Sequence, residues 1–235
     1  KTVHSFPSVS YKIKLQNEKL IIVNNPKDFP ENYLEVMEPI VKVNILTPSQ
    51  YLGSVMRLQD SFSFKVLATE TIANSVLIGI SLSLADLIRD FDDQLKSASA
   101  GFASLSYEIS GYEKADVVKL SVLVAGQEVS GLTRIVHKDE AEKDARQTVD
   151  KLKELLPRQQ FSQAIQAAIG GKIIARETIP AMKKDLGDFG KNGGDRTRKM
   201  KLWKKQKRGK EKLKDIASHS KITVPASIFR ELLKK

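Results

Sequence analysis

The chain has no cysteine among its 235 residues, and it has only one tryptophan and three histidines. The absence of cysteine excludes disulfides and thiolate metal sites, and it suits a reducing compartment. His4, His137 and His219 do not have the spacing of metal ligands, so no metal site is predicted. The longest apolar runs, such as residues 75–85, are far shorter than the roughly 20 residues that span a bilayer. No signal peptide is visible, and a start at Lys1 instead of Met leads us to expect a piece of a longer protein.

Motifs for catalysis or nucleotide binding are also missing. No grouping of Ser, His and Asp suggests a nucleophilic triad. Asp92 and Asp93 lie in the middle of a predicted helix near Arg89, where a solvated face is a better interpretation than acid–base catalysis. Residues 170–172 (Gly-Gly-Lys) and 190–191 (Gly-Lys) lack the spacing G-x-x-x-x-G-K-[ST] of a phosphate-binding loop. The sequence therefore predicts no catalytic residue and no cofactor-binding residue in this chain.

The chain does have a concentration of positive charge in residues 191–214, which we call the basic segment. Twelve of these 24 residues are Lys or Arg and two are acidic, which gives a net charge of +10 against +11 for the whole chain. The other 211 residues together carry +1. Because so many like charges repel one another, such a segment is best tolerated with a polyanionic partner.

The order of residues in the basic segment favours nucleic acid as that partner. A loop with four glycines over residues 187–194 leads into the cations, and one aromatic residue, Trp203, lies among them. Lys and Arg suit contacts with phosphates, and Trp suits stacking on a base or sugar. Packing of Trp203 on the protein body is the open alternative. The predicted nucleic-acid-binding residues are Lys191, Arg196, Arg198, Lys199, Lys201, Trp203, Lys204, Lys205, Lys207, Arg208 and Lys210.

Two other partners of the basic segment are left open, an anionic membrane surface and an acidic protein. If the segment is helical from Arg196, only one narrow face is free of cations, and it consists of Leu202, Gln206, Gly209, Leu213 and Ile216. We expect that face to dock on the protein body. A narrow apolar face with one aromatic residue is poor for membrane insertion, so nucleic acid is the first hypothesis.

Alternating apolar residues and turn signals predict an α+β fold that begins with a ferredoxin-like (split βαβ) domain. Residues 9–15 and 19–23 are predicted as a strand pair before that domain, followed by a connector over residues 24–33. Thr47 is the predicted N-cap, and Pro48 the first residue, of a short helix. The β-α-β-β-α-β order is predicted from strands 40–46, 62–68, 75–82 and 102–110 and from helices 47–58 and 83–97.

The remaining residues predict a second α+β domain that carries the basic segment as a helix. A long helix over residues 139–156 is predicted because Ala141, Ala145, Val149, Leu152 and Leu156 fall on one face. Thr178 is the predicted cap of a short helix. The other predicted elements are strands 117–124 and 131–136, a strand–turn–strand unit over residues 165–175, a strand at residues 222–224 and a helix at residues 225–233.

Several long motifs of the chain resemble those of one family of translational GTPases. The stretch T-P-x-x-Y-L-G-x-V at residues 47–55 resembles the start of domain V in elongation-factor-G-like proteins. Two stretches are more specific. They are I-Q-A-A-I-G at residues 165–170, continuing as K-I-I-A-R-E-T at residues 172–178, and G-G-D-x-x-R-K-x-K-L with K-Q-K-x-G-K over residues 193–210. By these motifs the chain is similar to elongation factor 4, the LepA family, over nearly its whole length.

The resemblance implies that residues 1–37 finish a domain III, residues 38–115 form a domain V and residues 116–235 form the family's C-terminal domain. It implies binding to the ribosome and contact with transfer RNA and ribosomal RNA, not DNA, in back-translocation or in the relief of stalled elongation. It also implies a monomer in the cytoplasm or an organelle matrix, with peripheral membrane association as a further expectation. GTP and Mg²⁺ are expected for the parent protein, bound by an N-terminal domain, and not for this chain.

Three departures from the family pattern indicate a divergent member. Residues 59–62 (Gln-Asp-Ser-Phe) replace a basic turn that usually contains Arg and Gly, so the ribosome-facing edge of domain V is expected to differ. Residues 186–192 replace a Val-Leu-Ala-Lys-Cys-Tyr run and are one residue longer. Trp203 replaces a usual Leu.

Overall fold

The computed structural model describes residues 8–182, 196–219 and 224–233. The chain divides into two compact units, Pro7–Val117 and Val118–Lys235. Each unit combines helices with a β-sheet and has its own cluster of buried apolar side chains. The predicted α+β fold class is confirmed. The assignment of residues 1–37 to a separate preceding domain stays a prediction.

The first unit is built on a six-stranded sheet whose paired strands are all antiparallel. The strands are β1 (Tyr11–Lys14), β2 (Leu20–Val23), β3 (Glu35–Pro48), β4 (Lys65–Ile72), β5 (Ser75–Ser83) and β6 (Ser104–Lys114). The long strand β3 pairs with β6 along one edge, and with β1 and then β5 along the other. The spatial order β4-β5-β3-β6 is that of a split βαβ unit, so the predicted ferredoxin-like topology is confirmed.

Helical segments cover one face of this sheet and bury its core. The first is α1 (Leu52–Met56), which lies between 3₁₀ turns at Ser49–Tyr51 and Arg57–Asp60. The second runs from α2 (Leu84–Asp86) through a π-helical turn at Leu87–Phe91 into α3 (Asp92–Ala98). Its residue Phe91 is fully buried, and the rings of Phe62 and Phe64 meet it edge-on at 5.3 and 6.0 Å between centroids. Such a packed aromatic cluster anchors the helix to the sheet.

The predicted role of Thr47 as a helix N-cap is wrong. Thr47 lies inside β3 opposite Val76, its side chain is fully buried, and its Oγ1 has no hydrogen-bond partner among the described residues. The strand continues through Pro48 because β5 offers pairing partners as far as Ser75. Helical structure therefore begins at Ser49, one residue later than the cap signal suggested.

The β1–β2 hairpin joins the same sheet and shares a buried polar cluster with it. Tyr11 in β1 and Glu38 in β3 are both buried, as is Asp86 in α2. Arg89 lies 3.1 Å from Asp86, measured from Nη2 to Oδ1. Burial of Tyr11, and then the nearby carboxylates of Glu38 and Asp86, raise the pKa of its phenol well above the ordinary value. The hydroxyl of Tyr11 is therefore held in its neutral form.

The second unit contains a five-stranded sheet with one long helix packed on it. The strands are β7 (Val117–Val124), β8 (Gln127–Glu128), β9 (Arg134–His137), β10 (Gln163–Ile169) and β11 (Lys172–Ile179), in the order β11-β10-β7-β8 with β9 also on β7. The helix α4 (Lys138–Leu155) buries the predicted face, which consists of Ala141, Ala145, Val149 and Leu152, with Leu156 just beyond its end. Spacings of three and four residues put these side chains on one side of the helix.

Smaller predictions in this unit have different outcomes. The predicted cap at Thr178 is wrong, because Thr178 pairs with Ala164 inside β11, which runs on to Ile179. Of the predicted strand at residues 222–224, residues 222 and 223 lie outside the described residues, and Val224 is buried without strand pairing. The last helix, α6 (Ala226–Leu233), is confirmed, and its buried Ile228 and Leu232 join the core under α4.

Candidate nucleic-acid interface

The described part of the basic segment lies in one long helix, α5 (Arg196–His219). At 1.5 Å per residue its 24 residues extend over about 36 Å. Lys, Arg, Leu, Met and Gln are good helix formers, which explains why so polar a sequence is helical. Like charges four residues apart, such as Lys201 with Lys205 and Lys204 with Arg208, oppose helix formation by a few tenths of a kcal/mol each, roughly. An anionic partner would remove that opposition.

The structure exposes most of the predicted cations. The side chains of seven are exposed, namely Arg196, Arg198, Lys201, Lys204, Lys205, Lys207 and Arg208. Lys199 and Lys210 occupy helical positions in α5, but their side chains are outside the description, and Lys191 lies outside the described residues. The described members of the predicted set therefore lie on one helix, where they are open to a ligand.

Four of the exposed cations of α5 are also without an ion pair to any described residue. Among the described residues, Lys204, Lys205, Lys207 and Arg208 have no ion-pair partner. Two basic side chains elsewhere in this unit are paired by contrast: Lys153 lies 2.8 Å from Glu177, and Arg134 lies 3.1 Å from Asp144. The hydrogen bond and charge of Glu177 raise the pKa of Lys153, as expected for a paired lysine. Unpaired cations on a helix are free to bind phosphate.

The narrow cation-free face of α5 is only partly covered. Gln206 is half-buried and Leu202 is 40% exposed, while Gly209 is exposed. The side chains of Leu213 and Ile216 fall outside the description, so docking of this face on the protein body stays a prediction. Trp203 lies on a different side of the helix and is 61% exposed. The open choice for Trp203 is thus decided for the described residues: its ring faces solvent.

A second surface feature, in the first unit, was missed at the sequence level. The rings of Tyr51 and Phe102 stack at 5.8 Å between centroids with 14° between their planes, and Phe102 is 65% exposed. Tyr51 follows the end of β3, and Phe102 precedes β6, which pairs with β3 from Leu46. The signal was available: two aromatic residues flank strand ends that the predicted topology makes neighbours. An exposed aromatic pair of this kind is a candidate contact surface.

The described parts of the chain contain neither a metal-binding cluster nor a phosphate-binding loop. No group of three or more His, Asp or Glu side chains there could hold a metal ion. Gly170 and Gly171 have φ values of +54° and +79° and close the β10–β11 hairpin, so they do not lead into a helix as a phosphate-binding loop does. No helix within the described ranges has the length and apolarity needed to cross a membrane.

Comparisons with known proteins divide the chain at a similar place. Residues 124–234 match the family described as GTP-binding protein LepA C-terminus, and residues 35–123 match the family described as Elongation factor G C-terminus. The chain is 43% identical to Elongation factor 4 of Thermotoga maritima over 97% of its own length and 37% of that protein. It is 44% identical to Elongation factor 4 of Thermus thermophilus over the same shares. It is 44% identical to that of Rubrobacter xylanophilus over 95% of its length and 36% of that protein. The chain thus spans little more than a third of these relatives.

Proposed function

The chain belongs to the elongation factor 4 (LepA) family, and we propose that it is the RNA-binding C-terminal part of a translation factor that acts on the ribosome. The observation that carries this proposal is α5, a helix of exposed cations in the unit that matches the LepA C-terminus. The ribosome offers a dense polyanion in its RNA, and phosphate contacts supply most sequence-independent affinity for nucleic acid.

In this proposal, α5 neutralises phosphates of transfer RNA or ribosomal RNA. The exposed cations on several sides of the helix suit a ligand that surrounds it, such as RNA in a ribosomal cavity. Promotion of back-translocation or relief of stalled elongation is the proposed activity of the whole protein. The same proposal includes that the whole protein is a monomer and that it acts in the cytoplasm.

GTP and Mg²⁺ are proposed as ligands of the whole protein and not of these residues. The described residues do not fit a nucleotide site, because their paired glycines at 170 and 171 form a hairpin turn and the described acidic side chains do not cluster as metal ligands. No step of GTP hydrolysis is derived from this chain. Its part in the factor's action is to bind and position RNA.

The test is binding to bacterial-type ribosomes and to transfer RNA by two variants with equal loss of charge. One replaces Lys204, Lys205 and Lys207 in α5 with Gln. The matched control replaces Lys27, Lys143 and Lys151, which are exposed lysines outside α5, with Gln. We expect the α5 variant to bind more weakly and to lower the magnitude of the salt slope by about 2, since each phosphate contact contributes roughly 0.7 to 0.9. The control should bind as the parent chain does. Equal weakening by both variants would show that net charge, not α5, carries the binding.

The other candidate function is a module that meets an anionic membrane through the same helix. Flotation with phosphatidylserine vesicles separates the two. Association that persists in excess RNA would support the membrane and contradict the RNA proposal, whereas competition by RNA is the expected result.

A further inference from the structure

Trp203 is a large aromatic side chain that the second unit leaves open to solvent. Its side chain is 61% exposed on α5, and Met200, one turn earlier, is 48% exposed. On the cation-free face of the same helix, by contrast, Gln206 is half-buried. An exposed Trp beside an exposed Met forms an apolar spot among the cations of this helix.

The helical register places cations on both sides of this spot. Arg196 and Lys207 lie seven residues before and four residues after Trp203, so all three share one face of α5. Both cations are exposed. Lys207 is one turn, about 6 Å along the axis, from Trp203, and Arg196 is about 10 Å away on the other side. The face therefore presents an aromatic ring between two positive charges.

The charge density of α5 matches one nucleic-acid strand better than two. The helix has eleven Lys or Arg and two acidic residues, a net charge of +9 over about 36 Å, or about one positive charge per 4 Å. In double-stranded DNA the phosphates repeat at roughly 3.4 Å along each strand and at roughly 1.7 Å when both strands are counted. The cations of α5 can neutralise the phosphates of one strand laid along the helix. A duplex laid along the helix would keep about half of its phosphate charge.

The ring of Trp203 points to the same ligand. The faces of bases in a duplex are already stacked, so a protein ring reaches them only by unstacking a step at a cost of a few kcal/mol, roughly. An unpaired base offers its face freely, and stacking on an aromatic side chain is worth about 1–3 kcal/mol per base. Cations on both sides of the ring would hold the flanking phosphates.

We propose that Trp203 stacks on an unpaired base of RNA whose neighbouring phosphates bind Arg196 and Lys207, so that α5 selects single-stranded RNA over duplex. This inference rests on the proposed RNA-binding function and adds the class of RNA that α5 takes. It assigns to Trp203 a specificity-determining role, while the lysines and arginines supply the electrostatic part of the affinity.

The experiment uses the intrinsic fluorescence of the full chain. Trp203 is the only tryptophan, so the emission reports this position alone. The probes are a short single-stranded RNA without self-complementarity, the same RNA annealed to its complement, and phosphatidylserine vesicles. We expect saturable quenching by the single strand and weak quenching by the duplex. A blue shift on vesicles, with no quenching by either RNA, would overturn the proposal.

Two substitutions separate a specificity role from a structural one. Trp203→Leu keeps an apolar side chain with high helix propensity, and Trp203→Phe keeps a ring. We expect Trp203→Leu to lose roughly 5- to 150-fold in affinity for the single strand, measured by polarisation of labelled RNA, and Trp203→Phe to lose less. Duplex affinity should stay within about twofold, as for a residue outside the contact. Circular dichroism checks that helix content is unchanged.

The outcomes distinguish this inference from the proposed function. If Trp203→Leu binds both RNAs as the parent does, while the triple lysine variant of α5 loses both, the stacking role is wrong and the RNA-binding function stands. If Trp203→Leu weakens single strand and duplex equally, selection by the ring is also contradicted. If the parent chain binds neither RNA, both proposals fall.

Discussion

Replacing Tyr11 with Phe should make the first unit less sensitive to alkaline pH. The hydroxyl of Tyr11 is buried near the carboxylates of Glu38 and Asp86, so an ionised phenolate would lie unsolvated beside negative charge. Burial first, and then these carboxylates, raise the pKa of Tyr11 above its ordinary value of 10.0. The unfolded chain has no such restriction, and its Tyr11 ionises normally.

The sign and size of the effect follow from linkage. Because the folded-state pKa is raised, the stability contributed by the neutral phenol is fully present below about pH 10 and is lost as pH rises from there towards the folded-state pKa. At about pH 11 the loss from this one group is about 1.4 kcal/mol in the free energy of unfolding, since each pH unit above the unfolded pKa contributes about that amount. Tyr11→Phe removes this component and leaves the rest of the alkaline decline in place.

Two measurements check the prediction. Urea unfolding between about pH 8 and pH 11 should show a stability difference between parent and Tyr11→Phe that shifts by about 1.4 kcal/mol in favour of the variant. Absorbance of tyrosinate in the folded proteins should rise equally in parent and variant up to about pH 11, because Tyr11 stays neutral in the fold. An extra equivalent of tyrosinate in the folded parent would refute the buried, carboxylate-flanked environment of Tyr11.

Two further predictions concern the cores that hold the surfaces in place. Phe91→Ala should lower the free energy of unfolding in urea by about 3–5 kcal/mol, because the ring is fully buried against Phe62 and Phe64. Ile88→Ala, at an exposed position on the same helix, should lower it by less than about 1 kcal/mol. Similar losses from both variants would contradict the packing. Arg134→Met should cost about 2–3 kcal/mol, because Arg134 donates to Asp144 and to the buried Thr148 at 2.7 Å. The exposed pair of Arg146 with Glu142 on α4 is the control, and Arg146→Met should change stability by less than about 1 kcal/mol.

The ferredoxin-like unit could be predicted because its apolar pattern is consistent with its topology. Val41, Val43 and Ile45 alternate along β3 and are all fully buried, and the helix after β5 buries Leu87, Phe91 and Leu95 as its spacing requires. Local helix-start signals gave wrong predictions where strand pairing determined the secondary structure. Thr47-Pro48 and Thr178-Ile179-Pro180 both have the composition of helix starts, yet cross-strand partners hold Thr47 and Thr178 in strands. A single segment contains no information about those partners.

Part of the candidate site could also be predicted from the sequence, and part could not. The charge of the basic segment can be read from the sequence, and the helix considered from Arg196 onward is present as α5. The direction of Trp203 could not be predicted, because it depends on which side of α5 is covered, and that is a tertiary property. The stacked pair of Tyr51 and Phe102 was equally hidden, since the two rings are far apart in sequence and meet only when β6 pairs with β3.

The most direct test of the central claim, that the basic helix binds the RNA of the ribosome, is the salt dependence of affinity. Equilibrium binding of the chain to ribosomes and to transfer RNA would be measured between about 50 and 200 mM salt, beside a variant that lacks residues 191–214. If about six to ten phosphates are contacted, the affinity of the parent chain should fall roughly 10³- to 10⁵-fold over this range, and the truncated chain should show a much smaller slope. Equal, salt-insensitive binding by the two chains would contradict the account.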